Sequence, residues 1–364
     1  MQGKNKISNR QIKALLVTTI VGVGVLSLPS DVAIVLNNGG WIGILLGGLI
    51  SIPFIMVINK LFSIDPGKSF FQISYQVVGR AVTKVFLFII FSYFIMVLAY
   101  TVRLFSEVIK TYLLENTPTE VIILTMLLAT AYIARSKIEV LARFAVMIYP
   151  IIVGFVIFLL VVNLPNNDFT NILPLFDIDY KLIPRAVYAS FFSYAGYEIL
   201  LFAQHISEDE SRSLKYSVGS MFMVIGIYLV IFFITLSRNG IHQLKREIWP
   251  TIAVIKEIDL PGYFLENLDG VVMAVWVLVV YATVGPFFYA CGVTIAEIFG
   301  FNSHKLFIPF LIPLIYIIAL IPDNLVTVNE ILGSIGNYLN VAAVVIVPII
   351  ILIAAYVRKG REKV

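Results

Sequence analysis

Apolar runs of 18 or more residues follow one another along this chain, with the charged residues gathered in short clusters between them. A run of that length is read as a membrane-spanning helix. Hydrocarbon offers no partner to backbone N–H and C=O groups, and a helix satisfies them within one segment. Ten spans are expected, near residues 11–35, 40–60, 84–112, 119–135, 140–163, 184–206, 213–236, 268–299, 305–322 and 337–357. The fold class is therefore all-α: a polytopic membrane protein of ten transmembrane helices, with residues 1–364 as a single transmembrane domain. Only 13% of residues are charged and 60% are hydrophobic, whereas a soluble domain needs roughly 25% charged residues to face water. One cysteine, Cys291, leaves no internal disulfide. The first apolar run lacks a small-x-small cleavage site, so no removable signal peptide is expected.

The basic residues orient the spans. Placing the N-terminus inside puts Lys4, Lys6, Arg10 and Lys13, then Lys60, Lys68, Arg80 and Lys84, on the cytoplasmic side, as well as the cluster from Arg358 to Lys363. Cytoplasmic segments then hold 18 basic residues and external segments seven, four of those in the long 237–267 loop. Both termini are expected in the cytoplasm.

Two spans depart from ordinary helices. Span 1 carries Gly22, Gly24, Ser27 and Pro29 within eight residues, and span 6 carries Ser193-Tyr194-Ala195-Gly196-Tyr197-Glu198. Span 6 starts 173 residues after span 1, and span 7 starts 173 residues after span 2. The chain thus reads as two five-helix repeats, 11–163 and 184–357, each opening with a broken helix. An odd number of spans per repeat inverts one relative to the other. Paired broken helices in inverted repeats point to a transporter-type site near the bilayer midplane, where free N–H groups bind a carboxylate and free carbonyls bind an ammonium or a cation.

The stretch Gly22-Val23-Gly24-Val25-Leu26-Ser27-Leu28-Pro29 resembles the first-helix motif of the amino acid–polyamine–organocation superfamily. Three more stretches resemble the spore germination permease family, the B subunits of nutrient germinant receptors. They are Gly40 to Gly48, Tyr194 to Phe202, and Ile255 through Asp269 to Val280. The resemblance implies a LeuT-like 5+5 inverted repeat with helices 1 and 6 broken, and a small germinant such as an amino acid. It also implies a large A-type subunit and a lipoprotein C-type subunit as partners, and location in the cell or spore inner membrane as a multi-pass protein.

Candidate ligand-binding residues are Gly22, Val23 and Gly24 at the first break, and Tyr194, Gly196, Tyr197 and Glu198 at the second. Tyr100 in span 3 and Thr283 and Phe287 beside the Gly285-Pro286 kink of span 8 complete the set. The two tyrosines of span 6 are expected to face the first break, with Glu198 placed to meet a ligand ammonium. Arg103 and Glu107 stand four apart on one face of span 3 and are expected to form a gating or structural ion pair. No basic residue except Arg103 is near, so a neutral amino acid is expected rather than an acidic one.

His205, His242 and His304 lack metal-ligand spacing, and no nucleophile constellation, phosphate-cradling loop or nucleic-acid patch is present. The reading is of a non-enzyme without metal or cofactor and without nucleic acid as partner. Three functions stay open: a ligand-sensing receptor subunit, an amino acid carrier working by alternating access, and a structural or channel subunit. Proton-coupled carriers of the superfamily share a lysine within span 5. Here no Lys or Arg follows Arg143 until Lys181, which favours sensing over carrying.

Overall fold

A computed structural model describes residues 6–176, 178–256 and 268–361. Residues 257–267 of the third family-like stretch lie outside the described residues, as do Lys4 and Lys363 of the basic clusters.

The described chain is helical throughout, and its helices begin where the sequence supplies caps. Ser8 and Gln11 form a reciprocal capping box that opens α1, Asn9–Ile20, and Ser69 with Gln72 does the same for α4, Phe70–Tyr112. Each box satisfies two N–H groups that a helix start otherwise leaves unpaired.

Span 1 is α1 and α2, Gly24–Leu36, interrupted at residues 21–23. Asn37, at a φ of 51°, turns the chain into span 2, α3, Gly40–Ile64. Spans 3 to 5 are α4, α5 (Thr119–Ala134) and α6 (Ile138–Asn163). Span 6 runs through α7, Ile183–Phe191, to a break at Ala195 and Gly196, then resumes through α8, Leu200–Ala203. Its two halves bend by 46°. Spans 7 to 9 are α9 (Glu210–Leu244), α11 (Leu268–Phe299) and α12 (Phe307–Leu320), with the short α10 (Pro250–Lys256) between the first two. Span 10 is a composite of α13 (Leu325–Val328), α14 (Ser334–Asn340) and α15 (Val347–Arg361), joined by π-helical turns at Asn329–Gly333 and Val341–Ile346.

Several bounds differ from expectation for local reasons. Span 3 begins 14 residues early, at Phe70 rather than 84, because the Ser69 cap starts a helix that Gly79, at φ 80°, kinks without ending. Span 7 likewise runs on past a kink at Gly240. The segment between spans 7 and 8 is not bare: α10 sits on α2, where the Thr251 hydroxyl donates to the Val25 carbonyl (2.9 Å). Span 10 starts at Leu325 rather than 337; the π-helical turn at Asn329–Gly333, after its first α-turn, takes it off the 3.6-residue period used to find it.

The two breaks meet. Gly196 holds a φ of 129°, open to glycine alone, and a Cβ there would stand 3.0 Å from the Thr19 carbonyl carbon and oxygen. Gly22 in turn lies against span 8, where a Cβ would stand 2.8 Å from the Thr283 γ-methyl. These small residues let three spans approach backbone to side chain at the centre of the fold, which is how membrane helices pack without a hydrophobic driving force between them.

Candidate functional site

A cavity of about 480 Å³ opens beside the broken part of span 1, a volume in the range of small-molecule sites. Span 1 contributes Thr19, Ile20, Val23, Gly24, Ser27 and Asp31. Gly24, Ser27, Asp31 and Ile34 recur at helical spacing, so α2 presents one continuous face to the space. The facing wall comes from Tyr188, Phe192 and Ser193 of span 6. Tyr100 and Leu104 of span 3, Thr283 and Phe287 of span 8, and Asn329, Ser334 and Asn337 of span 10 close the sides. Residues 245–249 of the loop before α10 stand at the mouth, where Ile34 and Ile248 are exposed.

The opposite end is shut. Ile7 and Ser207 form a parallel bridge: Ile7 N–H donates to the Ile206 carbonyl and Glu208 N–H donates to the Ile7 carbonyl, both at 2.9 Å. The Asn9 amide adds a bond to the Asp209 carbonyl (3.2 Å). The segment before span 1 and the segment after span 6 are thereby tied together, leaving access from the side that carries Asn37.

At the break itself, α2 starts without a side-chain cap, so the first N–H groups of a 13-residue helix lack the usual side-chain acceptor. The matching carbonyls at the end of α1 are largely taken. Thr283 Oγ1 donates to the Thr18 carbonyl (2.9 Å) and the Gly22 N–H to the Ile20 carbonyl (3.0 Å), while the single proton of the Tyr228 hydroxyl is shared between the Ser193 (2.8 Å) and Ile20 (3.1 Å) carbonyls. The backbone at the break therefore offers donors to an anion more readily than acceptors to a cation.

Five of the ten residues chosen from the sequence line the cavity: Val23, Gly24, Tyr100, Thr283 and Phe287. Tyr100 also donates to Asn329 Oδ1 (3.0 Å), fixing span 3 to the first π-turn of span 10. The other five lie outside the lining. Gly22 packs on Thr283 and Gly196 on the Thr19 backbone. Tyr194 does not face the first break. It turns to span 2, where its hydroxyl donates to the Ile44 carbonyl (2.6 Å), and its ring packs 5.2 Å from Tyr228. One residue of helical rotation separates Ser193, which faces the cavity, from Tyr194, which faces away.

Glu198 is fully buried and folds back on its own span. Its carboxylate accepts the Gly196 N–H (2.8 Å) and the Tyr93 hydroxyl, and Asn340 Nδ2 donates to that same hydroxyl (2.9 Å). The carboxylate pins the span 6 break to spans 3 and 10 and does not reach the cavity. Tyr197 beside it is buried with no partner for its hydroxyl among the described residues. Arg103 and Glu107 are 3.0 Å apart, outside the lining, with side chains 8% and 19% exposed.

Sequence reasoning passed over Asp31, Phe192, Ser193 and the asparagines of span 10. Asp31 had a signal: it is a carboxylate in an apolar span, seven residues beyond Gly24 on the same face.

A family model described as spore germination protein matches residues 6–328. Spore germination protein YndE of Bacillus subtilis is 26% identical over 361 residues, covering 99% of each chain. Spore germination protein GerLB of Bacillus cereus is 27% identical over 363 residues, covering 98% of this chain and 96% of its own. Among solved structures, MhsT in complex with L-phenylalanine aligns with a TM-score of 0.72 at 14% identity, covering 94% of this chain and 87% of its own. A Na⁺-coupled sialic acid symporter in a substrate-bound outward-open state aligns with a TM-score of 0.69 at 12% identity, covering 94% and 80%. These likenesses show the LeuT-like fold, two inverted five-helix repeats with helices 1 and 6 broken, and the family match across the chain shows that it belongs to the spore germination proteins.

Proposed function

We propose that this chain is the ligand-sensing membrane subunit of a germinant receptor and that the cavity at the broken helix holds a small amino-acid germinant. One observation carries the reading: a ligand-sized cavity ends at the uncapped start of α2, where Gly24 keeps the backbone bare. A ligand carboxylate placed there meets N–H groups and the positive end of the helix dipole. Thr283 and Phe287, with Phe192 opposite, supply a hydroxyl and apolar surface around it.

Binding would transmit through the two breaks, which touch at Gly196 and Thr19. Ligand contacts that favour one packing of spans 1 and 6 over another shift the population between them. In this reading the A-type and lipoprotein C-type subunits are the partners, the membrane is the cell or spore inner membrane, and both termini are cytoplasmic. The repeats 11–163 and 184–357 act as one transmembrane domain, and the Arg103–Glu107 pair braces span 3 beside the mouth.

A second reading rests on a specific observation. A cavity open at the Asn37 side and shut by the Ile7–Ser207 bridge at the other is also what an amino acid carrier shows at one stage of alternating access. Two measurements separate the readings. A thermal-shift screen of amino acids on the purified protein tests binding, since a ligand specific to the folded state raises its stability by mass action. Uptake of the hit into proteoliposomes tests carriage. Binding without uptake supports the receptor, and binding with uptake supports the carrier. Absence of any shift across the screen would remove the amino-acid reading.

A further inference from the structure

We propose that Asp31 selects a ligand whose side chain is positively charged, so that the germinant is a basic amino acid rather than a neutral one. The proposal rests on the reading of the cavity as an amino-acid site and names the class that fits it.

Asp31 lies on the cavity face of α2 with Gly24 and Ser27. Among the described residues it interacts with the Ser27 side chain and takes part in no ion pair. The neighbouring groups do not supply a counter-charge. Tyr100 faces it from span 3 and gives its hydroxyl proton to Asn329. Lys245 reaches into the same space but is held on Asn37 Oδ1, Arg246 is exposed at the mouth, and Glu247 adds a second negative charge there. A carboxylate inside a membrane protein is costly unless it meets a partner, and here the space before it is the cavity.

Spacing narrows the partner. Seven residues of helix separate Gly24 from Asp31, an axial distance of about 10 Å at 1.5 Å per residue. An α-ammonium sits two bonds from its own carboxyl carbon, roughly 2.5 Å away, so a neutral amino acid anchored at the α2 start leaves Asp31 alone. The side-chain nitrogen of lysine sits six bonds away, roughly 7 Å when extended. One hydrogen bond of about 2.9 Å from that nitrogen to Asp31 brings the reach to about 10 Å, against about 5 Å for the α-ammonium. Ser334 and Asn337 of span 10 flank the intervening stem with hydroxyl and amide groups.

The test uses the purified full chain in detergent, with L-lysine, L-leucine, cadaverine and sodium chloride as probes in concentration-dependent thermal shift. Lysine should bind at least tenfold more tightly than leucine. Cadaverine, which lacks the carboxylate, should bind more weakly than lysine. Asp31→Asn should abolish the lysine preference, bringing the lysine-to-leucine affinity ratio to about one, and Asp31→Glu should keep the preference. Equal affinity for lysine and leucine in the parent, or a preference that survives in Asp31→Asn, overturns the role of Asp31 and leaves the cavity reading standing. Stabilisation by sodium that requires Asp31 assigns the carboxylate to an inorganic cation instead and overturns the proposal. If neither amino acid binds, the cavity reading falls with it.

Discussion

Two tyrosines a few ångströms from the same carboxylate should respond in opposite ways to loss of their hydroxyl groups. Tyr93 and Tyr197 are both fully buried. The Tyr93 hydroxyl donates to Glu198 and accepts from Asn340 Nδ2 at 2.9 Å, so Tyr93→Phe strands one carboxylate oxygen and one amide N–H. A bond to a charged group contributes about 1.5–3 kcal/mol and a neutral one about 1 kcal/mol in protein interiors. Between membrane helices the average is nearer ~0.6 kcal/mol each. Tyr93→Phe should therefore cost between about 1 and 4 kcal/mol. The Tyr197 hydroxyl has no partner among the described residues. Its removal deletes a desolvated polar group, so Tyr197→Phe should be neutral or stabilising by about 1 kcal/mol. Equilibrium unfolding of both variants in detergent, by tryptophan fluorescence against denaturing surfactant, reads the difference. Equal destabilisation by the two substitutions would refute the network around Glu198.

Arg103→Ala should destabilise by about 3 kcal/mol, the lower end for a broken buried pair because Glu107 keeps 19% of its side chain exposed. Replacing both residues with leucine should recover much of the folding yield, whereas normal folding of each single variant would show the pair to be solvated. Gly196→Ala should cost about 2–5 kcal/mol from its left-handed φ and the clash with Thr19. Gly154→Ala, with no atom within 4 Å of the added carbon, should be tolerated; equal expression and stability of the two would contradict the packed breaks. Cysteines introduced at the exposed positions 66, 212 and 359 should label from the cytoplasm and those at 170 and 248 from outside, on a background kept low by the burial of Cys291. Labelling of 66 and 248 from the same side would remove the inverted repeat.

The span count and the positions of both breaks were legible because they depend on local chemistry. Glycine, serine and proline weaken a helix wherever they cluster, and Val21-Gly22-Val23 and Ala195-Gly196 are where the chain leaves helical geometry. Side-chain direction was not legible. Tyr194 and Glu198 adjoin the second break in sequence, yet the 100° turn per residue sends Tyr194 to Ile44, and the carboxylate of Glu198 is claimed by Gly196 and Tyr93. Choosing among faces of a helix requires its neighbours, and span 10, whose π-turns displace its polar residues, was the neighbour least readable from periodicity. Packing around glycine was equally hidden. Gly43 sits in an uninterrupted span and reads as a mild site, but a Cβ there would stand 2.9 Å from the Ala186 Cβ. Gly43→Leu would separate spans 2 and 6.

Binding to variants that fill the cavity tests the central claim most directly. Gly24→Leu alone is confounded, because its Cβ would stand 3.3 Å from the Ser193 backbone. Ser27→Leu, one turn along the same face, enlarges a side chain that lines the cavity. Equilibrium binding of radiolabelled amino acids to purified parent, Gly24→Leu and Ser27→Leu proteins should show saturable binding in the parent. Affinity should fall at least tenfold in both variants while each unfolds cooperatively. Undiminished affinity in a folded Ser27→Leu protein would place the ligand outside the cavity at the broken helix.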